Sequence, residues 1–178
     1  METEKLFSVL SALHPISFDF RFAVERVLTP LSLPPYHMLQ EATRVTECAY
    51  FLDEGFAMTY TFTKGEKQVE RFWHAGQIML SPRSFFEQIP SPEFIQLRTR
   101  SELLCITHNN LLHLSQRFPE ARFIYGVMMS QYHEYSRERM RDLYYLSAVD
   151  RYEKLIRHFP DVEQHVAQKY IASRKIMI

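Results

Sequence analysis

The feature that most constrains this chain is a change of hydrophobic period near Thr107. Between Tyr36 and Thr107 apolar residues alternate with polar ones. Beyond Thr107 they recur at steps of three and four. The first period belongs to strands with one buried face, the second to amphipathic helices. Such a chain builds a sheet first and then a run of helices packed on it.

The strand half is legible in short pieces. Cys48-Ala49-Tyr50-Phe51-Leu52 is an apolar strand closed by Asp53-Glu54-Gly55. Met58, Tyr60 and Phe62 alternate with Thr59, Thr61 and Thr63, a pattern suited to a half-buried pleated surface. Lys64-Gly65-Glu66 predicts a hairpin turn with Gln68 to Trp73 as the returning strand. His74-Ala75-Gly76-Gln77 turns into Ile78-Met79-Leu80, and Phe94–Leu97 and Leu103–Ile106 supply two more strands. Short strands joined by tight turns predict a barrel or jelly-roll sheet.

Two short helices are expected over residues 4–28, broken at His14-Pro15, with Ser17 capping the second. Past Thr107, Asn109 or Asn110 is expected to cap a short helix. Pro119 suits the first turn of a long one running to about residue 146. Ser147 or Asp150 restarts a helix that ends near Phe159-Pro160, and a last segment spans about 162–172.

Composition narrows the function. Hydrophobic residues are 46% and aromatics 14% of 178 residues, enough burial to offset chain entropy. Lys and Arg number 21 against 21 Asp and Glu, so no bulk electrostatic grip on DNA or lipid is expected. Cys48 and Cys105 lie far apart outside any C-x-x-C pair and are expected as reduced core thiols. No secretory leader and no membrane span is read, so a cytoplasmic protein with no membrane partner is expected. The eight histidines show no H-x-x-x-H spacing, and His108 and His113, five apart, do not share a helical face. Neither a metal site nor any cofactor is expected. Glu87 and Glu93 lack a nucleophile or a phosphate-cradling glycine loop nearby, so an enzyme is not expected.

The order of these pieces resembles the Crp/Fnr family of bacterial regulators, in its divergent Bacteroidetes-type branch. Tyr50-Phe51-Leu52-Asp53-Glu54-Gly55 is similar to the family's strand-and-glycine signature. Phe72-Trp73-His74-Ala75-Gly76-Gln77 is similar to the turn into its ligand cassette, and Ser101–Ile106 to its closing strand. Asp150–Leu155 with Phe159-Pro160 resembles the helix that opens the DNA-binding module, and Gln168–Ser173 the start of its helix-turn-helix.

The resemblance implies an α+β fold. A cyclic-nucleotide-binding-like β-roll (jelly-roll) with N-terminal helices occupies residues 1–118. A long dimerisation helix follows over 119–146, and residues 147–178 form an incomplete winged-helix module. It also implies a transcription regulator whose β-roll senses a small-molecule effector and whose helix relays the state across a homodimer. Mixed dimers with intact relatives are a second pairing. The alternative is a stand-alone effector-binding or dimerisation module without DNA binding.

Two departures shape the expected sites. The cassette lacks the family's Gly-Glu pair, and the place of its phosphate arginine falls at Ser91 to Glu93. A carboxylate there repels phosphate, so cyclic AMP held in the family's manner is not expected. The candidate effector pocket is Ser81, Arg83, Ser84, Glu87, Ser91, Glu93 and Arg98. The second departure is at the end, where Arg174-Lys175-Ile176-Met177-Ile178 stands in place of a recognition helix. DNA contact is therefore expected only as weak phosphate binding by Lys169, Arg174 and Lys175. On the long helix, Tyr125, Met128, Tyr132, Tyr135 and Leu143 form a stripe. It is expected to serve both as a dimer seam and as packing against the chain's own roll.

Overall fold

In the computed structural model the described residues are 3–174. The N-terminal helices are α1 (Glu4–Leu13) and α2 (Phe18–Glu25). The strands are β1 (Thr29–Leu33), β2 (Met38–Gln40), β3 (Cys48–Glu54), β4 (Phe56–Thr63), β5 (Glu66–His74), β6 (Gln77–Met79), β7 (Phe94–Leu97) and β8 (Ser101–Thr107). The short helix α3 (Pro82–Glu87) lies between β6 and β7. The helices α4 (His108–Arg117), α5 (Pro119–Tyr145), α6 (Ala148–His158), α7 (Val162–His165) and α8 (Gln168–Ser173) follow.

The strands form two antiparallel four-stranded sheets, ordered β1-β8-β3-β6 and β2-β7-β4-β5. Their facing sides bury Leu52, Leu103 and Met79 from one sheet against Ala57, Trp73 and Leu97 from the other. Alternation along each strand sends the next residues outward. On the first sheet Phe51 and Leu104 meet α1, α2, α4 and α5. On the second, Phe56, Met58, Tyr60, Val69 and Phe72 meet Leu155, Phe159, Val162, Val166 and Ile171 of the C-terminal helices. Both sheets are therefore covered on both faces, which explains why their strands read as apolar.

The local chemistry accounts for the boundaries. Lys64 and Gly65 both have positive φ (53° and 83°), as a two-residue hairpin turn requires. Ser17 Oγ accepts from the Phe20 amide at 3.2 Å. Thr107 rather than either asparagine caps α4, accepting from the Asn110 amide at 3.3 Å. Ser147 and Asp150 act together as a capping box at the start of α6.

Three elements were not foreseen. β1 contains Pro30, which a helix or a central strand would exclude, but β1 is an edge strand paired only with β8. β2 is three residues long, and α3 has only six, too short for a periodic signal. The segment expected over 162–172 breaks at Val166-Ala167 into α7 and α8. Both cysteines are free, Cys105 buried and Cys48 half-buried.

Phe159 holds the C-terminal helices to the roll. Its ring lies 6.1 Å from Phe56 and 6.0 Å from Phe72. Phe159→Ala is expected to cost about 3–5 kcal/mol and to loosen α6–α8 before the roll itself. Limited proteolysis should then cut first after residue 146, with the 1–146 fragment surviving.

Candidate functional site

The cassette between β6 and β7 is held by its own polar atoms. Ser84 Oγ accepts from the Thr46 amide at 2.9 Å and donates to the Ile89 carbonyl at 2.6 Å. Ser91 Oγ donates to Ser81 Oγ at 3.1 Å and accepts from the Glu93 amide at 3.0 Å. The backbone of Ser91 bonds on both sides to residues 43 and 44. Ser81, Ser84 and Ser91 are thus buried structural hydroxyls with their bonding largely spent inside the loop.

The charged candidates separate. Burial pushes the Glu93 carboxyl above the usual carboxylate range, with the Ser81 hydroxyl acting in the opposite sense. Arg83 and Glu87 lie on the exposed side of α3 and pair with each other at 3.1 Å. Arg98 faces away from the cassette, with its guanidinium 4.9 Å from the Tyr36 ring centroid and Nε 3.4 Å from the His165 carbonyl. The structure therefore gathers Ser81, Ser84, Ser91 and Glu93 and leaves Arg83, Glu87 and Arg98 outside. Burial faces an inward side chain inward regardless of its polarity, whereas a long arginine on a short helix reaches solvent. The cassette aromatics do not fill the roll. Phe85 packs with Leu80 and Ala49, Phe86 lies 4.3 Å from the Tyr125 ring, and Phe94 stacks at 5.0 Å on Tyr60 of the outer face.

The long helix spends most of its stripe on its own chain. Met128 packs with the cluster against the first sheet, and Leu143 lies between α5 and α6. Tyr132 and Tyr135 flank Arg71 of β5, their ring centroids 5.7 and 4.4 Å from its guanidinium carbon. Tyr125 is partly exposed. The large apolar side chains that α5 leaves most open are Phe123, stacked 4.9 Å from the His14 ring near the start of the helix, and Met140, Tyr144 and Tyr145 toward its end.

Sequence reasoning missed Arg71. A bulge at Glu70 sets its direction: Thr59 pairs with Arg71 but Tyr60 with Val69, so Glu70 is the extra residue. Arg139 of α5 occupies the bulge, donating to the Glu70 carbonyl at 2.7 Å and to its carboxylate at 2.6 Å. Past the bulge, Trp73 points into the roll and Arg71 stacks 3.8 Å over its indole. Burial lowers the Arg71 pKa and Arg174 adds to that, while Tyr135 and Tyr132 oppose it. Burial also pushes the Tyr132 hydroxyl up to about 12. No spacing rule flags a lone arginine in a strand.

A cavity of about 280 Å³ opens beside this cluster. It runs between α5 and the outer face of the first sheet, under α1 and α2. Arg71, Trp73, Gln131 and Tyr132 stand among walls that are otherwise mostly apolar.

The proposed DNA-phosphate residues diverge as well. Lys169 is exposed beside Tyr170. Arg174 turns inward and donates to the Tyr135 hydroxyl at 2.6 Å. Lys175 and the Ile176-Met177-Ile178 ending lie outside the described residues. Among the described residues no group of three or more metal-ligating side chains occurs, and no helix is long and apolar enough to cross a membrane.

No family model matches this chain, and no curated protein matches its sequence. Solved structures do resemble it. The Thermus thermophilus catabolite activator protein is similar over 85% of this chain and 72% of that one, with a TM-score of 0.65 and 14% identity. A cyclic nucleotide-binding domain from Methylobacillus flagellatus is similar over 76% and 78%, with a TM-score of 0.67 and 11% identity. The sensor domain of the transcriptional regulator DNR from Pseudomonas aeruginosa is similar over 76% and 91%, with a TM-score of 0.61 and 16% identity. The chain has the α+β cyclic-nucleotide-binding β-roll fold, with antiparallel sheets and flanking helices. At such identities the likeness is one of fold, and function has to be argued from the site.

The Glu93 carboxyl supplies a test of the cassette geometry. A carboxyl raised on folding favours the native state at low pH and loses that contribution as pH rises through its folded value. Glu93→Gln is therefore expected to raise stability at pH 7, with the gain shrinking as pH falls toward the ordinary carboxylate range. Urea denaturation of both proteins across pH checks this. A gain that does not change with pH would place Glu93 in water.

Proposed function

We propose that this chain is the sensing and dimer-forming part of a Crp/Fnr-like transcription regulator, acting by binding rather than catalysis, in the cytoplasm. The observation that supports this best is the path of α5. It leaves the roll at Phe118, crosses the cavity and the bulge, and ends at Leu146, where the Ser147 capping box starts the C-terminal helices. A state change beneath α5 is thereby passed to α6–α8. The effector is a small molecule other than cyclic AMP held through a phosphate arginine, since Glu93 stands where that arginine belongs.

The proposed dimer is a homodimer along the exposed side of α5, using Phe123 toward its start and Met140, Tyr144 and Tyr145 toward its end. Mixed dimers with relatives would use the same face. Units bounded at residues 118 and 146 fit the breaks on either side of α5. Sedimentation velocity is expected to show a dimer for the native chain and a shift to monomer for Tyr144→Lys/Tyr145→Lys. An unchanged dimer would move the interface elsewhere.

A second reading is a stand-alone sensing or dimerisation module without DNA binding. The inward turn of Arg174 and the docking of α6–α8 on β4 and β5 favour it. Fluorescence anisotropy with promoter duplexes over a salt series separates the two. The regulator reading expects the chain to bind duplexes with similar weak affinities that fall steeply with salt, through phosphate contact. One duplex bound ~10³-fold tighter would show a complete sequence reader. No binding at the lowest salt would leave the stand-alone module.

A further inference from the structure

The cluster around Arg71 carries an unspent charge. Its guanidinium is sandwiched by aromatic faces, with Trp73 at 3.8 Å and Tyr135 at 4.4 Å. Stacking of this kind uses the face of the group and leaves its N–H edge unused. Among the described residues Arg71 makes no hydrogen bond and no ion pair. The neighbouring acids are otherwise engaged: Glu70 holds Arg139 at 2.6 Å, and burial disfavours the charged form of Glu93, whose carboxyl bonds to Ser81. Arg174 brings a second positive charge to Tyr135 and has no ion pair among the described residues. Arg71 is therefore the cation on the cavity wall and has no ion-pair partner among the described residues.

The rest of the cavity is mostly apolar, with Gln77 and Gln131 its other long polar side chains. Leu10, Phe51, Leu104, Ile124 and Met128 wall the part away from Arg71, while Ser81, Ser91 and Glu93 do not reach it. A pocket with one fixed cation at its end and hydrocarbon along its length selects an amphipathic anion. At about 280 Å³ the cavity lies at the small end of the roughly 300–1,000 Å³ typical of small-molecule sites. That size fits one medium-length chain rather than a two-chain lipid. A planar carboxylate suits the free guanidinium edge, since it can accept two parallel bonds.

We propose that the cavity between α5 and the first sheet binds a single-chain carboxylate of medium length, its headgroup on Arg71 and its tail between Phe51, Leu104 and Ile124. This site is separate from the cassette hydroxyls. The inference does not rest on the regulator reading, because binding is measured without DNA. Its position beneath α5 makes it a place where a ligand can bear on that helix.

Trp73 is the single tryptophan of the chain and lies on the cavity wall, so its emission reports occupancy. The full chain is titrated with monomeric decanoate, decanol and decyltrimethylammonium. Decanoate is expected to give a saturable change in emission, with decanol at least about tenfold weaker for lack of the charge-assisted contact and the cation weaker still. Arg71→Gln is expected to bring decanoate down to the affinity of decanol and to leave decanol unchanged. Equal affinity of the three compounds for the native protein, a preference for the cation, or a change that never saturates overturns the proposal. If Arg71→Gln fails to fold by circular dichroism, the headgroup comparison on the native protein decides alone.

Discussion

The bulge at Glu70, clamped by Arg139, is the contact on which the arrangement of the roll and its long helix depends. An unbulged strand would put Val69, Arg71 and Trp73 on one face. The extra residue instead sends Val69 and Phe72 outward to the C-terminal helices and turns Arg71 and Trp73 inward. A bulge leaves ladder groups unpaired, and Arg139 takes the freed carbonyls of Glu70 and Val69. One side chain of α5 thus satisfies the strand, fixes the height of the helix on the roll and neutralises Glu70. The cationic cluster and the apolar cavity both follow from that placement.

Covering both faces of both sheets divides the hydrophobic interior into layers with different partners. The inner layer closes the roll. One outer layer ties it to α1, α2, α4 and α5, and the other ties it to α6–α8. Each buried aromatic such as Phe72 or Phe159 contributes roughly 1.5–3 kcal/mol by its removal from water. The C-terminal helices are therefore part of the body of the protein, while α5 is the element with apolar surface to spare. Ion pairs add little here; Arg83 with Glu87 and Arg137 with Glu134 are solvent-exposed. The better-enclosed Lys154, between Glu138 and Asp142 at 2.7 Å each, joins α6 to α5.

The cassette illustrates how composition misleads about a site. Serines, an arginine and carboxylates close together look like a polar pocket. Here the serines bond to each other and to the loop backbone. The arginine pairs with Glu87 in solvent, and the remaining carboxylate is buried and so disfavours its charged form. The arginine left without an ion pair is instead Arg71 of β5, which stacks on Trp73 beside a mostly apolar cavity.

By itself the sequence determined the class of element at almost every position. It marked the change of period at Thr107, the Lys64-Gly65 turn, the Ser17 and Ser147 caps, and the long helix from Pro119. These depend on neighbours a few residues apart, through dihedral limits, capping bonds and periodic burial. The order of those elements also pointed to the cyclic-nucleotide-binding β-roll. Tertiary structure alone decided what each face meets. The stripe of Met128, Tyr132 and Tyr135 reads the same whether it meets another protomer or its own roll, because periodicity records that a face is buried and not against what. Arg71 was invisible for a related reason. Its direction depends on a one-residue bulge held by a side chain 69 positions further along the chain, and only folding brings the two together.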